Sequence, residues 1–194
     1  MAVIRDAGTD RAAKINSDGK LFTISESHAL QHENSWYKED TYQVIGDVTL
    51  ANATTTVLHI RNTDATKNLV ISYVRVQAID PSGGTAPPAA ANYFQLGLNE
   101  TVSSGGTAVT PVNVNAISGK VADVTATDNG PTMAGTFAEI DRWYLDADGG
   151  SNTFSKEGSV ILGLNDTFSV RVVSDNTGGT AYARVTFMMI DKNR

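Results

Sequence analysis

The chain has 194 residues, 15 basic and 21 acidic side chains for a formal charge of −6, and no cysteine. A disulfide, a thiolate metal centre and a thiol nucleophile are therefore excluded, and a basic nucleic-acid groove is poorly supported. Val, Ile and Thr supply 51 residues against 10 Leu, beside 17 Gly and 14 Asn. Branched side chains suit a pleated surface, and Gly and Asn suit turns, so the composition points to an all-β chain.

The opening residues Met1 to Lys14 contain no apolar core of a secretion signal, and no stretch approaches the roughly 18 apolar residues of a membrane span. The expectation is a soluble, non-exported protein. Residues 1–40 read as an extended N-terminal arm, followed by one domain over 41–194. Within the arm, the Asp18-Gly19 turn predicts a short strand over Lys20 to Ile24, and Ser25 to Asn34 is the one plausible helical turn. Arg5, Arg11 and Lys14 give the arm a positive start that would suit an acidic neighbouring surface. Phe22, Trp36, Tyr37 and Tyr42 are large rings near a terminus, which need something to bury against. These seven residues are the candidate contact set.

From Tyr42 onward strand signals recur. Tyr42 to Leu50 and Thr55 to Arg61 come first. Asn68 to Ile79 alternates with Val70, Ser72, Val74, Val76 and Ala78 on one face, against Leu69, Ile71, Tyr73, Arg75 and Gln77 on the other. Asp80 to Ala91 is a long loop with Pro87-Pro88, and Asn92 to Leu98 is the next strand. Thr107 to Asn115 alternates, with Pro111 marking an edge or a bulge. Ser118 to Gly135 is small-residued and irregular. Phe137 to Leu145, Ser159 to Leu164, Asp166 to Ser174 and Thr180 to Ile190 complete eight or nine strands, the last with Ala181, Ala183, Val185, Phe187 and Met189 on one face. That number fits a Greek-key or jelly-roll β-sandwich better than a five-stranded barrel.

Candidate chemistry is sparse. His28 and His32 would share one face of a helix, and His59 or Glu33 would have to complete a metal site, but the spacing lacks the metalloprotease Glu. Asp146 and Asp148 begin a calcium-like loop whose sixth position is Ser151, where Gly is required. Glu139, Asp141 and Trp143 alternate on one strand, the best arrangement here for two carboxylates beside a sugar-stacking ring. No phosphate loop and no nucleophile elbow occurs, so neither an enzyme nor a cofactor is expected.

Several segments resemble virion structural proteins of tailed bacteriophages: Ile4 to Thr9, Ala12 to Asn16, Asp18 to Phe22, Ser25 to Ala29, Thr49 to Asn62, Asp80 to Gly84, Val112 to Asn115, Thr132 to Thr136, and the closing strands around Ser169 to Val173 and Ala183 to Phe187. The resemblance implies a capsid decoration, or cement, protein. Such a protein would sit as a homotrimer on the capsid exterior, against the major capsid protein, without membrane or nucleic-acid contact and without catalytic residues. Other readings stay open. One is a head-fibre or tail component whose aromatic tips at Tyr93-Phe94 and Trp143-Tyr144 bind a host receptor or carbohydrate, and another is a free-standing carbohydrate-binding sandwich.

Overall fold

The structure is a computed structural model that describes residues 3–5, 12–15, 21–22, 35, 38–79, 92–145, 152–175 and 177–192. At the N-terminus β1 (Val3–Arg5), β2 (Ala12–Ile15) and β3 (Leu21–Phe22) form a small antiparallel meander in that order. The strand expected after Asp18-Gly19 is present at Leu21 and Phe22, which pair with Ile15 and Lys14, while Lys20, Thr23 and Ile24 lie outside the described residues. The predicted helical turn at 25–34, the loop at 80–91 and the acidic turn at 146–151 lie outside the described residues.

Eleven strands follow among the described residues. Eight are the principal ones: β4 (Thr41–Thr49), β5 (Ala53–Asn62), β6 (Lys67–Ile79), β7 (Tyr93–Ser104), β11 (Thr132–Tyr144), β12 (Asn152–Leu162), β13 (Thr167–Ser174) and β14 (Thr180–Asp191). They lie as β12-β6-β14-β4 in one sheet and β11-β7-β13-β5 in the other, all antiparallel. Ranked in chain order, the sheets read sixth-third-eighth-first and fifth-fourth-seventh-second. Every link but the fourth-to-fifth crosses between sheets, which is the winding of a jelly roll. The expectation of a jelly-roll-like sandwich holds.

Three short strands are inserted in the one link that does not cross. These are β8 (Thr107–Val109), β9 (Val112–Asn113) and β10 (Val124–Asp128). β10 pairs with β5 and β8 with β10, extending one sheet, while β9 pairs with β4 and extends the other. Thr107 to Asn115 is thus not one strand: it changes sheets at Thr110-Pro111. Pro111 has no N–H to give to a ladder, so it sits where the chain leaves one sheet for the other.

The core fills the space between the sheets. Phe168, Val170 and Val172 stand opposite Leu98, Leu96 and Phe94, and face the row Ala181, Ala183, Val185, Phe187 and Met189 of β14. The alternation expected for β6 holds from Val74 onward and fails before it. Phe187 pairs with Ile71 and Thr186 with Tyr73, so Ser72 is an extra residue on β6. This bulge rotates Leu69 and Ile71 onto the core face with Val74 and Val76, because two residues of one strand oppose one of the other. All four are buried.

Gly97 marks the closest approach on the opposite side of the second sheet. A Cβ there would run into the ring of Phe137 and come within 2.9 Å of the Ala138 carbonyl oxygen. Gly97→Ala is expected to destabilise by about 2 kcal/mol, as overpacking against backbone does, read as a lower urea midpoint at unchanged slope.

Candidate functional site

The chain reaches β4 through Ser35 and residues 38–41, and this entrance is tied down by the inserted connection. Asn113 Nδ2 donates to the Glu39 carbonyl at 2.7 Å, Asn115 Nδ2 to the Ser35 carbonyl at 3.2 Å, and Lys120 Nζ to the Lys38 carbonyl. Glu39 sits at φ 54°, a left-handed conformation that costs a non-glycine residue about 1 kcal/mol and that these bonds offset. Next to it the buried Asp40 accepts from Lys67 Nζ at 2.9 Å, lies 3.7 Å from Lys120 Nζ, and receives the Tyr42 hydroxyl at 3.4 Å. Burial, reinforced by the Asp40 charge, pushes the Tyr42 phenol up to about 12. Burial alone would lower the Lys67 ammonium, but the bond to Asp40 outweighs it and holds this group above its ordinary range.

Asp40 therefore clamps the segment entering β4 to the β5–β6 turn and to the inserted connection. Asp40→Asn removes the carboxylate shared by Lys67 and Lys120 and leaves the half-buried Lys67 ammonium with only the charges of Asp64 and Asp191. The expected loss is about 2 kcal/mol, below the full cost for a wholly buried pair because Lys67 keeps some water contact. Urea unfolding of the variant beside wild type measures it.

The connection that grips this segment also exposes apolar side chains. Ile117 is 87% exposed, Val121 74% and Val112 68%, and Val114 stands out beside them. Val112 opposes Gln43 on the outer face of β4, where Ile45 is 57% exposed. Between them a depression of ≈ 410 Å³ is lined by Gln43, Ile45, Ala108, Val109, Thr110 and Val112. Single exposed hydrophobics are ordinary, and four on one connection make it the candidate contact surface.

The predicted contact residues are distributed differently. Arg5, Lys14 and Phe22 fall in β1, β2 and β3, while Arg11, Trp36 and Tyr37 lie outside the described residues. Tyr42 is 1% exposed and stacks on Phe187 with ring centroids 5.7 Å apart, so it belongs to the core and anchors the start of β4. The apolar connection was not among the sequence candidates. Its signal, four branched residues between Pro111 and Asp123 without a strand-length period, is visible only once the core face is known.

Of the side chains singled out for chemistry, His59, Glu139 and Asp141 are engaged elsewhere. His59 is buried and bonds Ser169 Oγ through Nδ1 at 3.1 Å, and burial with the nearby Arg61 charge lowers it to about 4. His28 and His32 lie outside the described residues, as do Asp146 and Asp148. A bulge between Glu139 and Asp141 breaks their shared face. Glu139 accepts from Arg142 Nε at 2.7 Å and from Gln95 Nε2 at 2.5 Å, and the Arg142 bond holds its carboxyl below the usual range. Asp141 pairs with Lys156 at 2.5 Å. Among the described residues no three His, Asp or Glu side chains converge on a point where a metal would sit.

No protein-family profile and no curated protein matches the chain. Solved structures that resemble it include the acid-stable capsid of Helicobacter pylori bacteriophage KHP30, at 9% identity and TM-score 0.26, covering 78% of this chain and 91% of that one. VP17, a capsid protein of bacteriophage P23-77, matches at 11% identity and TM-score 0.16, covering 78% of this chain and 97% of its own. An infectious bursal disease virus structure (Gt strain) matches at 13% identity and TM-score 0.16, with 99% of this chain but 47% of that one. Likeness at these TM-scores decides nothing about function, and the jelly-roll assignment rests on the strand order.

Proposed function

We propose that the protein is a capsid decoration (cement) protein of a tailed phage, binding the exterior of the head as a trimer against the major capsid protein. The observation that carries this reading is the pairing of a clamped entry to β4 with an exposed apolar connection on one edge of a jelly roll. An arm leaving from that point would engage the same neighbour as the side chains Val112, Ile117 and Val121 beside it. Burying such a side chain fully is worth about 1.5–3 kcal/mol before the cost of association, and repetition over identical sites turns a modest affinity into a stable layer. The resemblance of the sequence to virion structural proteins points the same way. The fold itself hosts capsid and lectin domains alike, so it is compatible with the reading without selecting it. The action is non-covalent, and neither a membrane nor nucleic acid takes part.

The test is the copy number per purified particle, by quantitative mass spectrometry against the major capsid protein. On the order of hundreds of copies in a simple ratio supports decoration, since a surface lattice repeats its sites. Absence from the particle overturns the virion reading. About three to twelve copies favours a head-fibre or tail component that binds a receptor or carbohydrate, the count expected of a symmetric appendage. For that second reading the supporting observation is the cluster at the ends of β7 and β11. There the Tyr93 and Tyr144 rings lie 5.3 Å apart, Arg142 sits 4.5 Å over Tyr93, and Trp143 and Tyr144 are exposed.

A further inference from the structure

The outer face of the five-stranded sheet carries an arrangement that the core does not require. Arg75 of β6 and Arg184 of β14 stand directly opposite each other, and Ile45 of β4 is the next residue in the same row. The neighbouring row is Gln77, Tyr182 and Asp47. Like charges directly opposite on a sheet are unfavourable, and in a chain of net charge −6 this register gathers two cations at the centre of one face. Arg184 lies along Tyr73, its guanidinium 5.8 Å from the ring centre, and its buried Nε has no protein acceptor. No ion pair joins it to Asp47 among the described residues, and the Asp47 backbone N–H faces the Asp128 carboxylate at 3.3 Å on the far side of β4. Ile45, Arg75, Gln77, Tyr182 and Arg184 line a depression of ≈ 210 Å³, with Ile45 57% and Tyr182 39% exposed.

We propose that this depression is a docking site for a carboxylate side chain of the shell protein. The carboxylate would be taken by Arg184 with Arg75 behind it, and an apolar residue flanking it would lie on Ile45 and Tyr182. The inference rests on the decoration reading and names the chemistry of its partner. Arginine is the side chain suited to this task, because its planar fork matches a carboxylate and tolerates partial desolvation. The alternative occupant, a second copy packed face to face about a two-fold axis, would set four arginines against one another and is disfavoured by charge. Ile45 also borders the depression at Val112, so the site is continuous with the apolar connection.

The test is co-sedimentation of the purified full-length chain with particles assembled without it, over a series of NaCl concentrations. Wild type is expected to bind, more weakly as salt rises, since charges at a partly open contact are screened. The double variant Arg75→Glu/Arg184→Glu is expected to lose at least tenfold in affinity. Arg75→Gln/Arg184→Gln, which removes charge without repulsion, should bind weakly with a flattened salt dependence. Thermal melting of each variant beside wild type confirms that the sandwich is folded. Glutamine and glutamate variants that bind like wild type overturn the site while leaving decoration intact. Wild type that fails to sediment with the particles overturns the decoration reading and the site together, and a self-association of wild type that both variants abolish gives this face to a second copy and overturns the site alone.

Discussion

Replacing Glu100 by leucine is expected to destabilise the protein by about 3 kcal/mol. Glu100 of β7 is 1% exposed and accepts from Arg171 Nη2 of β13, while Phe137 of β11 covers the guanidinium at 4.0 Å from its ring centre. The second carboxylate oxygen has no protein partner. Burial already pushes the Arg171 guanidinium below its ordinary range. Removing the acid leaves that cation covered and unpaired, and uncompensated buried charge is what makes a broken buried pair costly. The same reasoning predicts that Glu100→Leu/Arg171→Met recovers most of the loss, since a well-filled apolar pair needs no counter-charge. Urea unfolding of both variants separates the two effects. If the single and double variants were equally unstable, the loss would come from packing, and the ion pair would not be its source.

This pair also shows why part of the fold escapes sequence reading. The strand from Asn92 reads as ending at Leu98, because Asn99 to Ser104 is polar, yet β7 runs on to Ser104 and pairs with β11. Asn99 takes φ 71° and makes room for the irregular register in which Gly135 opposes Glu100 and Ala138 opposes Leu98. A carboxylate in that stretch looks like loop solubility until Arg171 is found across the sheet, 71 residues away. The irregular stretch from Ser118 to Gly135 hides β10 and the start of β11 for a related reason. β11 lies at the edge of its sheet with most side chains only partly covered, so no period of two is written into it. β13 and β14 are buried along one full face, and there the alternation reads directly.

The candidate site was legible only in its anchor. A ring at Tyr42 needs a core to bury in, and it has one under Phe187. Val112 and Val114 fall on an alternating stretch, and alternation says that two faces exist without saying which one is dry. That choice is made by Pro111, where the chain changes sheets and turns Val112 outward beside Gln43. The Arg75–Arg184 juxtaposition is likewise a product of register between β6 and β14. Ser72 sets part of that register through its bulge, and no local signal announces the bulge.

Acidification from pH 6.5 to 4 is expected to remove about 3 kcal/mol of stability through His59 alone. The imidazole lies beneath the surface of the second sheet, between Ser169 of β13 and Thr127 of β10, with Arg61 two residues along the same strand. Burial first, and the Arg61 charge second, lower it from the ordinary 6.5 to about 4. The unfolded chain therefore binds a proton between those values while the folded one does not. Stability rises with pH across this window and is lost as pH falls through it. A difference of about 2.5 pKa units at 1.36 kcal/mol each gives the expected size. Asp128 works the other way: burial, with Asp47 adjacent, raises its pKa, so its protonation on acidification favours the folded state. Lowered carboxyls such as Asp64 add their own loss at more acidic values, through the bonds it accepts from Thr66 and Lys67. His59→Asn keeps an acceptor near the Nδ1 position for Ser169 and cannot take up a proton. Its urea-derived stability should stay level between pH 6.5 and 4 except for the carboxyl contributions, while wild type falls. Parallel curves for the two proteins would mean that His59 titrates in the folded state as it does in the unfolded chain, and the acid sensitivity would then belong to the carboxyls.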